Sequence, residues 1–300
     1  MQNSFGEEGC SELRFCSDLA CERKRADTDI AGVDFSKDIS GDYVWERIRI
    51  SSEEGARSLG RPQGSYDTLT LPRLDTLDGE QIDDGAEEIA KELCILFDNA
   101  GIDPRRILVA GLGNPRLTPD SIGPETASRV NATMHIRKFD TGMFRGLDCS
   151  EIAVIAPGVM AESGMEARDV IGAICDRIEP DAVIAIDALA SRSPMRLGRT
   201  IQLSDTGIFP GSGIGNSRSA ISESTIGIPV IAIGVPTVIS AEVFMSCERC
   251  ADKSSDYESI LSRRQREEMF VSPKEIDGII ASSAKVIAYG INQAFGIQSW

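Results

Sequence analysis

The chain is short of histidine, of positive charge and of long apolar runs, and each shortage removes a class of function. Its 300 residues contain one histidine, His135. A Ser-His-Asp triad therefore has no choice of base, and a site built from several imidazoles is excluded. Lysine and arginine number 31 against 47 acids, a formal net charge of −16. Binding to nucleic acid or to an anionic membrane needs basic surface, which argues against both partners. Met1 to Glu8 hold no apolar signal core, and no later run is long enough to span a bilayer. The eight cysteines are too dispersed for a disulfide scaffold. Cys247-Glu248-Arg249-Cys250 has neither a second pair nor clustered histidines, so it reads as two reduced thiols on a surface segment. The expectation is a cytoplasmic protein without a metal or cofactor.

What the chain does have is apolar content of 41%, enough for a sizeable core. Residues 1–40 are polar, charged and weakly periodic, and read as a loosely ordered leader. Tyr43–Ile50 and Ser65–Leu71 read as a strand pair, a small accessory β element at about 40–75. From Glu80 to Ala100 apolar residues recur at helical spacing, with Gly101 as the stop. Ile107–Ala110, Ile152–Ala156, Ala182–Ile186, Thr200–Leu203 and Val230–Ile233 read as strands. The first and third of these are unbroken apolar runs, as in strands buried on both faces. Helices are predicted from about Pro124 to Asn131, over Met165–Ile178, and from a cap at Ser272 with Pro273 in the first turn to about Phe295. Met134–Phe139 reads as β, and Ala251–Glu268 as a surface segment. The alternation of strands and helices from residue 80 onward predicts an α/β layer fold with a largely parallel sheet.

Two carboxylates stand out. Asp120 closes the loop that follows the first buried strand, and Asp187 follows Ile186 directly. Open parallel sheets bind ligands at strand carboxyl ends, so both acids fall where a site is expected. Buried acids held close do not both ionise, so one keeps its proton. The ionised partner can then activate water, while the protonated one polarises a carbonyl or donates to a leaving group. That chemistry suits amide hydrolysis. The alternative for either acid is a helix cap or loop anchor.

Gly111-Leu112-Gly113-Asn114-Pro115-Arg116 lacks the third glycine of a dinucleotide fingerprint. Gly211-Ser212-Gly213-Ile214-Gly215-Asn216 lacks the Lys-Ser/Thr ending of a P-loop. Both read as close-packed turns at the rim of a site. Asp140-Thr141-Gly142 and Asp205-Thr206-Gly207 imitate the tripeptides of the two pepsin lobes, but that fold is all β and these helices exclude it.

Several ordered motifs resemble the spore germination protease family. They include Val109-Ala110-Gly111-Leu112-Gly113-Asn114, Thr118-Pro119-Asp120-Ser121-Ile122-Gly123-Pro124 and Ile184-Ala185-Ile186-Asp187-Ala188-Leu189. Thr200-Ile201-Gln202-Leu203-Ser204-Asp205-Thr206-Gly207 and Ile231-Ala232-Ile233-Gly234-Val235-Pro236-Thr237 extend the likeness, which is dense over about 105–240. The resemblance implies a three-layer α/β/α fold related to hydrogenase maturation proteases. It implies an atypical aspartic endopeptidase, made as a self-cleaving zymogen and assembled as a homotetramer in the forespore and spore core. Its substrates would be the small acid-soluble proteins that coat spore DNA, degraded at germination. The family's catalytic aspartates match Asp120 and Asp187. Cleavage after an acidic residue, also implied, needs a facing cation; Arg192 is the first candidate, with Arg116 and Arg218 in reserve. Asp18-Leu19-Ala20 repeats the acid–apolar–Ala order of the family's substrates, implying a leader of residues 1–18 cut at Asp18–Leu19 and a single peptidase domain over 19–300. Two features depart from the family: Phe209 stands where other members carry histidine, and the segment between Val243 and Val271 is shortened.

Two other functions remain open on the residues alone. One is a metal-dependent, maturation-type peptidase in which the two acids bind a divalent ion. The other is a non-catalytic protein whose Gly-rich loops hold a phosphorylated ligand. Activity that survives a chelator rejects the first, and thermal-shift screening against nucleotides and phosphate exposes the second.

Overall fold

The computed structural model describes residues 17–22, 30–211, 218–241 and 269–297. Gly213, the Cys247–Cys250 pair, the Ala251–Glu268 segment and most of the 1–40 leader lie outside these residues. Among the described residues, nine strands form one sheet: β1 (Val33–Ser40), β2 (Tyr43–Ile50), β3 (Gly64–Thr70), β4 (Arg106–Gly111), β5 (Glu151–Ile155), β6 (Ala182–Ser191), β7 (Thr200–Ser204), β8 (Val230–Ser240) and β9 (Phe270–Val271). Their order is β1-β2-β3-β7-β8-β6-β4-β5, with β9 also paired to β8. The β5-β4-β6-β8 half is parallel. The accessory strands do not form a separate sheet. They continue this one in antiparallel fashion, with β3 paired to β7 and β7 to β8.

Helices cover both faces and give the three layers. On one face α2 (Gly79–Ala100) and the last helix, α9 (Ile276–Ala294), pack Ile89, Leu93, Ile280 and Ile287 against Ile107, Val109, Ile184 and Ile186. On the other, Ile171 and Cys175 of α7 (Ala167–Ile178) meet Leu108, Ala110, Val183 and Ala185. Successive strand residues point to opposite faces. The unbroken apolar runs of β4 and β6 are thus what a sheet covered on both sides requires. The start of α2 is fixed by a capping box between Asp78 and Gln81, and its end by Gly101 at φ 66°.

Four expectations are corrected. Val33–Ser40, assigned to the leader, is the outermost strand, with every residue after Val33 exposed. An edge strand open on both faces has no apolar alternation to betray it. Met134–Phe139 is a short helix, α4, because Ile136 turns back on Thr133 (2.9 Å) instead of extending β5. Ser272 does not cap α9: its hydroxyl donates to Thr237 O (2.7 Å), and a turn at Pro273 delays the helix to Ile276. Strand β6 does not stop before Asp187 but runs on to Ser191, because β8 pairs with it through Ile239.

Candidate active site

Strand β4 ends at Gly111, opposite Ile186, so Asp187 is the first residue of β6 to lose its β4 neighbour. Its side chain points to the α7 face, in step with Val183, Ala185 and Leu189. Asp120 arrives on the same side by a different route. The chain leaves β4 through Gly113 at φ 110°, where a side-chain carbon would stand 2.0 Å from Asp120 O. Pro119 and Asp120 then form one 3-10 turn (Thr118–Asp120), leading into α3 (Ile122–Ala127). Gly113 is thus a close-packed turn position, while Gly111 is the last residue of β4, where a side-chain carbon would stand 2.1 Å from Gly123 O.

The two carboxyls share a cavity of about 510 Å³, lined also by Asp18, Leu112, Thr237 and Arg218. Asn114 N–H donates to Asp120 Oδ2 (2.8 Å), and Ala188 N–H to Asp187 Oδ1 (2.9 Å). Burial, then the Asp120 carboxylate and then Asp18 push Asp187 up to about 8. Burial raises Asp120 too, but the Asn114 amide and the Arg218 guanidinium work against it. Asp187, the deeper of the two and raised further by its neighbour, is the one that holds a proton more tightly, and Asp120, steadied by an amide and a guanidinium, gives its proton up more readily. One protonated and one ionised carboxyl is the division of labour that hydrolysis of an amide requires.

The chain's own Ser17–Glu22 segment enters this cavity, crossing the sheet face from β6 towards β3. Asp18 N–H donates to Ala190 O (3.0 Å), and Ala190 N–H donates to Asp18 Oδ2 (2.9 Å). Arg61 Nη2 donates to Ser17 O (2.8 Å) and stands 3.9 Å from Asp18 Oδ1, with both side chains about nine-tenths buried. Leu19 and Ala20 have no exposed surface. Downstream, Glu22 is gripped by Ser17 and Ser191 hydroxyls and by the N–H groups of Arg192 (2.7 Å) and Ser193 (3.1 Å). The segment is held at both ends and inserted between.

Of the three arginines picked from sequence, the structure brings only Arg218 to the cavity. Arg116 lies outside it and pairs with Glu162 at 3.3 Å. Arg192 is exposed and does not line the cavity; it meets the segment through its backbone N–H alone. Gly211 lines the cavity at φ 73°. Phe209 lines a small neighbouring pocket with Asp18, Arg61 and Tyr66. The pepsin-like tripeptides are turn devices: Asp140 caps α5 (Thr141–Leu147), and Asp205 accepts from Ser65 N (2.7 Å). His135 is exposed on α4. Among the described residues, no group of three or more His, Cys, Asp or Glu side chains is placed to hold a metal ion. Burial pushes the Cys21 and Cys175 thiols up to about 11, so neither is a thiolate near neutral pH. Sequence reading missed Arg61, which carries no local signal, and Gln202, which lies inside a motif of the resemblance.

An α/β/α sheet protein with paired acids in a cleft that already holds a stretch of its own chain has the layout of a peptidase. Comparison with known proteins gives the family. The germination protease profile matches residues 14–248. The germination protease of Clostridium perfringens is 37% identical over 93% of this chain and 94% of its own length. That of Oceanobacillus iheyensis is 44% identical over 73% of this chain and 60% of its own. The chain belongs to the germination protease family. A solved [NiFe] hydrogenase maturation protease from Thermococcus kodakarensis matches 54% of this chain and 95% of its own, at 18% identity and TM-score 0.31, a likeness too slight to carry an argument.

Proposed function

We propose that this protein is an aspartate-dependent endopeptidase that first cuts its own leader at Asp18–Leu19. It then degrades small acid-soluble spore proteins in the spore core at germination. The observation that carries the reading is the shared cavity: Asp18 lines it together with Asp120 and Asp187. The unequal proton affinities of the two acids support it, since one serves as base and the other as acid. The family supports the peptidase activity and its setting in germination. The test has two arms. Sequencing the N-terminus of protein matured in sporulating cells should find Leu19. Incubation with a basic, disordered spore-type protein should give fragments that end in acidic residues. An intact Met1 end, or a new end that also appears in Asp120→Asn, would show that the segment only packs against the core.

The side chain preceding the cut bond should be read by Arg61, in place of the arginines suggested by sequence. Its guanidinium and the Ala190 N–H face the Asp18 carboxylate from two sides. Arg61 stands 3.9 Å from that carboxylate, and if it closes to a charge-assisted hydrogen bond on a bound substrate the contact is worth roughly 1.5–3 kcal/mol, or about 10- to 100-fold. Arg61→Gln should slow cleavage of peptides with Glu before the cut bond by that factor, and leave peptides with Gln there little changed. An equal loss on both would give Arg61 a scaffold role.

A further inference from the structure

Gln202 ties the docked segment to the sheet through both ends of its carboxamide. It lies on β7, 7% exposed, and its carboxamide spans the peptide groups on either side of Leu19. Ala20 N–H donates to Gln202 Oε1 (2.9 Å), and Gln202 Nε2 donates to Asp18 O (3.3 Å). The first bond fixes the second. An N–H can only meet the carboxamide oxygen, so the NH₂ end must face Asp18 O. That oxygen is the carbonyl oxygen of the Asp18–Leu19 bond.

The sheet register sets where Gln202 stands relative to Asp187. Gly234 of β8 pairs with Asp187 on one side and with Gln202 on the other. Partners across a sheet point to the same face, so Asp187 and Gln202 lie in one row, two strands or roughly 10 Å apart. Gly234 puts no side chain between them, and Leu189 leans into the space instead. The next residue in the row is Thr68, paired with Gln202, whose hydroxyl reaches Cys21 Sγ at 3.7 Å. The segment thus follows the row: Asp18 beside β6, the peptide groups around Leu19 at Gln202, and Cys21 at β3.

We propose that Gln202 is a catalytic residue, the donor that receives the negative charge formed on the carbonyl oxygen of the cut bond. This rests on the reading that Asp120 and Asp187 hydrolyse the Asp18–Leu19 bond. Water adds to the Asp18 carbonyl carbon through its oxygen, its proton passes to ionised Asp120, and the C=O π pair moves on to the carbonyl oxygen. Gln202 Nε2–H donates to that oxygen and strengthens its hold as the charge grows. When the pair returns to carbon the C–N bond breaks, and the proton of Asp187 goes to the leaving nitrogen of Leu19. The dyad ends with its proton on Asp120 instead of Asp187.

The test uses the full-length chain and measures the rate constant of self-cleavage at Asp18–Leu19 from pH 4 to 9. Gln202→Glu keeps the acceptor for Ala20 N–H and, when ionised, has no donor for Asp18 O. It should cut about 100-fold more slowly than wild type near neutral pH, the typical loss of one oxyanion donor. As the pH falls and the glutamic acid regains an O–H, the deficit should shrink. Gln202→Met matches the side chain in size and has no donor at any pH, so its deficit should persist throughout. Thermal melting confirms that each variant is folded. A Gln202→Glu rate within threefold of wild type at every pH overturns the assignment, as does a deficit that ignores pH. A wild-type chain that never cuts this bond overturns both the assignment and the reading beneath it.

Discussion

Asp187→Asn is expected to give a folded chain that cuts peptide bonds about 10²- to 10⁴-fold more slowly, the usual worth of a general acid or base. Asparagine matches aspartate in shape, and its carbonyl can still accept from Ala188 N–H. What it lacks is a proton to release. Asp120→Asn should lose as much for the opposite reason, because a carboxamide cannot take a proton from water. The double variant should be little worse than either single one, since groups that act as a unit are not additive. The pH profile follows from the same two groups. Asp187 must be protonated, so activity should fall as pH rises through about 8. Asp120 must be ionised, so the acid limb should lie above the ordinary carboxylate value, because burial raises this group as well. Near-wild-type turnover by either variant would make that residue structural.

Stability should move the other way. An unfolded Asp187 loses its proton near 3.8, the ordinary value of an aspartate, whereas burial lets the folded one keep it to about 8. Across that window the folded chain binds more protons, so the native state loses stability as pH rises. Asp187→Asn removes the penalty. The variant should match wild type at pH 4, gain on the order of a few kcal/mol by pH 8, and gain no more beyond. An inactive protein that is harder to unfold is the signature of strain placed at a working site. Urea titrations at three pH values would expose a wrong sign.

The parts legible in the sequence and the parts hidden there differ for a physical reason. Strands β4 and β6 were readable because a strand buried on both faces must be apolar throughout, and an acid at the end of such a run is conspicuous. Strand β1 carries no such constraint, since seven of its eight residues face solvent. The candidate acids were visible one at a time. The groups around them were not, because their relation exists only in the folded sheet. Gln202 meets Asp18 across 184 positions of sequence, and Arg61 comes from the antiparallel half that looked like an accessory element. Arg192 looked right because it follows the strand of Asp187, but β6 continues to Ser191 and carries it past the cavity.

Gly123→Ala is expected to cost more than about 4 kcal/mol, in the range reached only by serious overpacking or broken backbone geometry. The reason is the way the site is assembled. The first turn of α3 presses directly on the ends of β4 and β6. A side-chain carbon on Gly123 would stand 2.2 Å from Leu112 O, 2.4 Å from Leu112 N and 2.6 Å from Ile186 O. All three are backbone atoms, and none can rotate away. Leu112 N–H also donates to Ile186 O at 2.8 Å, so moving either strand end breaks a buried bond. Asp120 lies three residues before Gly123 and Asp187 one residue after Ile186, so this contact sets where the two carboxyls meet. Relief by shifting α3 would carry Asp120 with it, and about 1 Å of misplacement costs roughly 100-fold in rate. Gly172→Ala is the control: it sits inside α7 with nothing within 4 Å of an added carbon. Alanine there should stabilise the chain by about 0.5–1 kcal/mol and leave cleavage unchanged. Melting curves and cleavage rates for the two variants check both halves of the claim. A Gly123→Ala protein as stable and as active as wild type would mean that this interlock does not hold the acids in place.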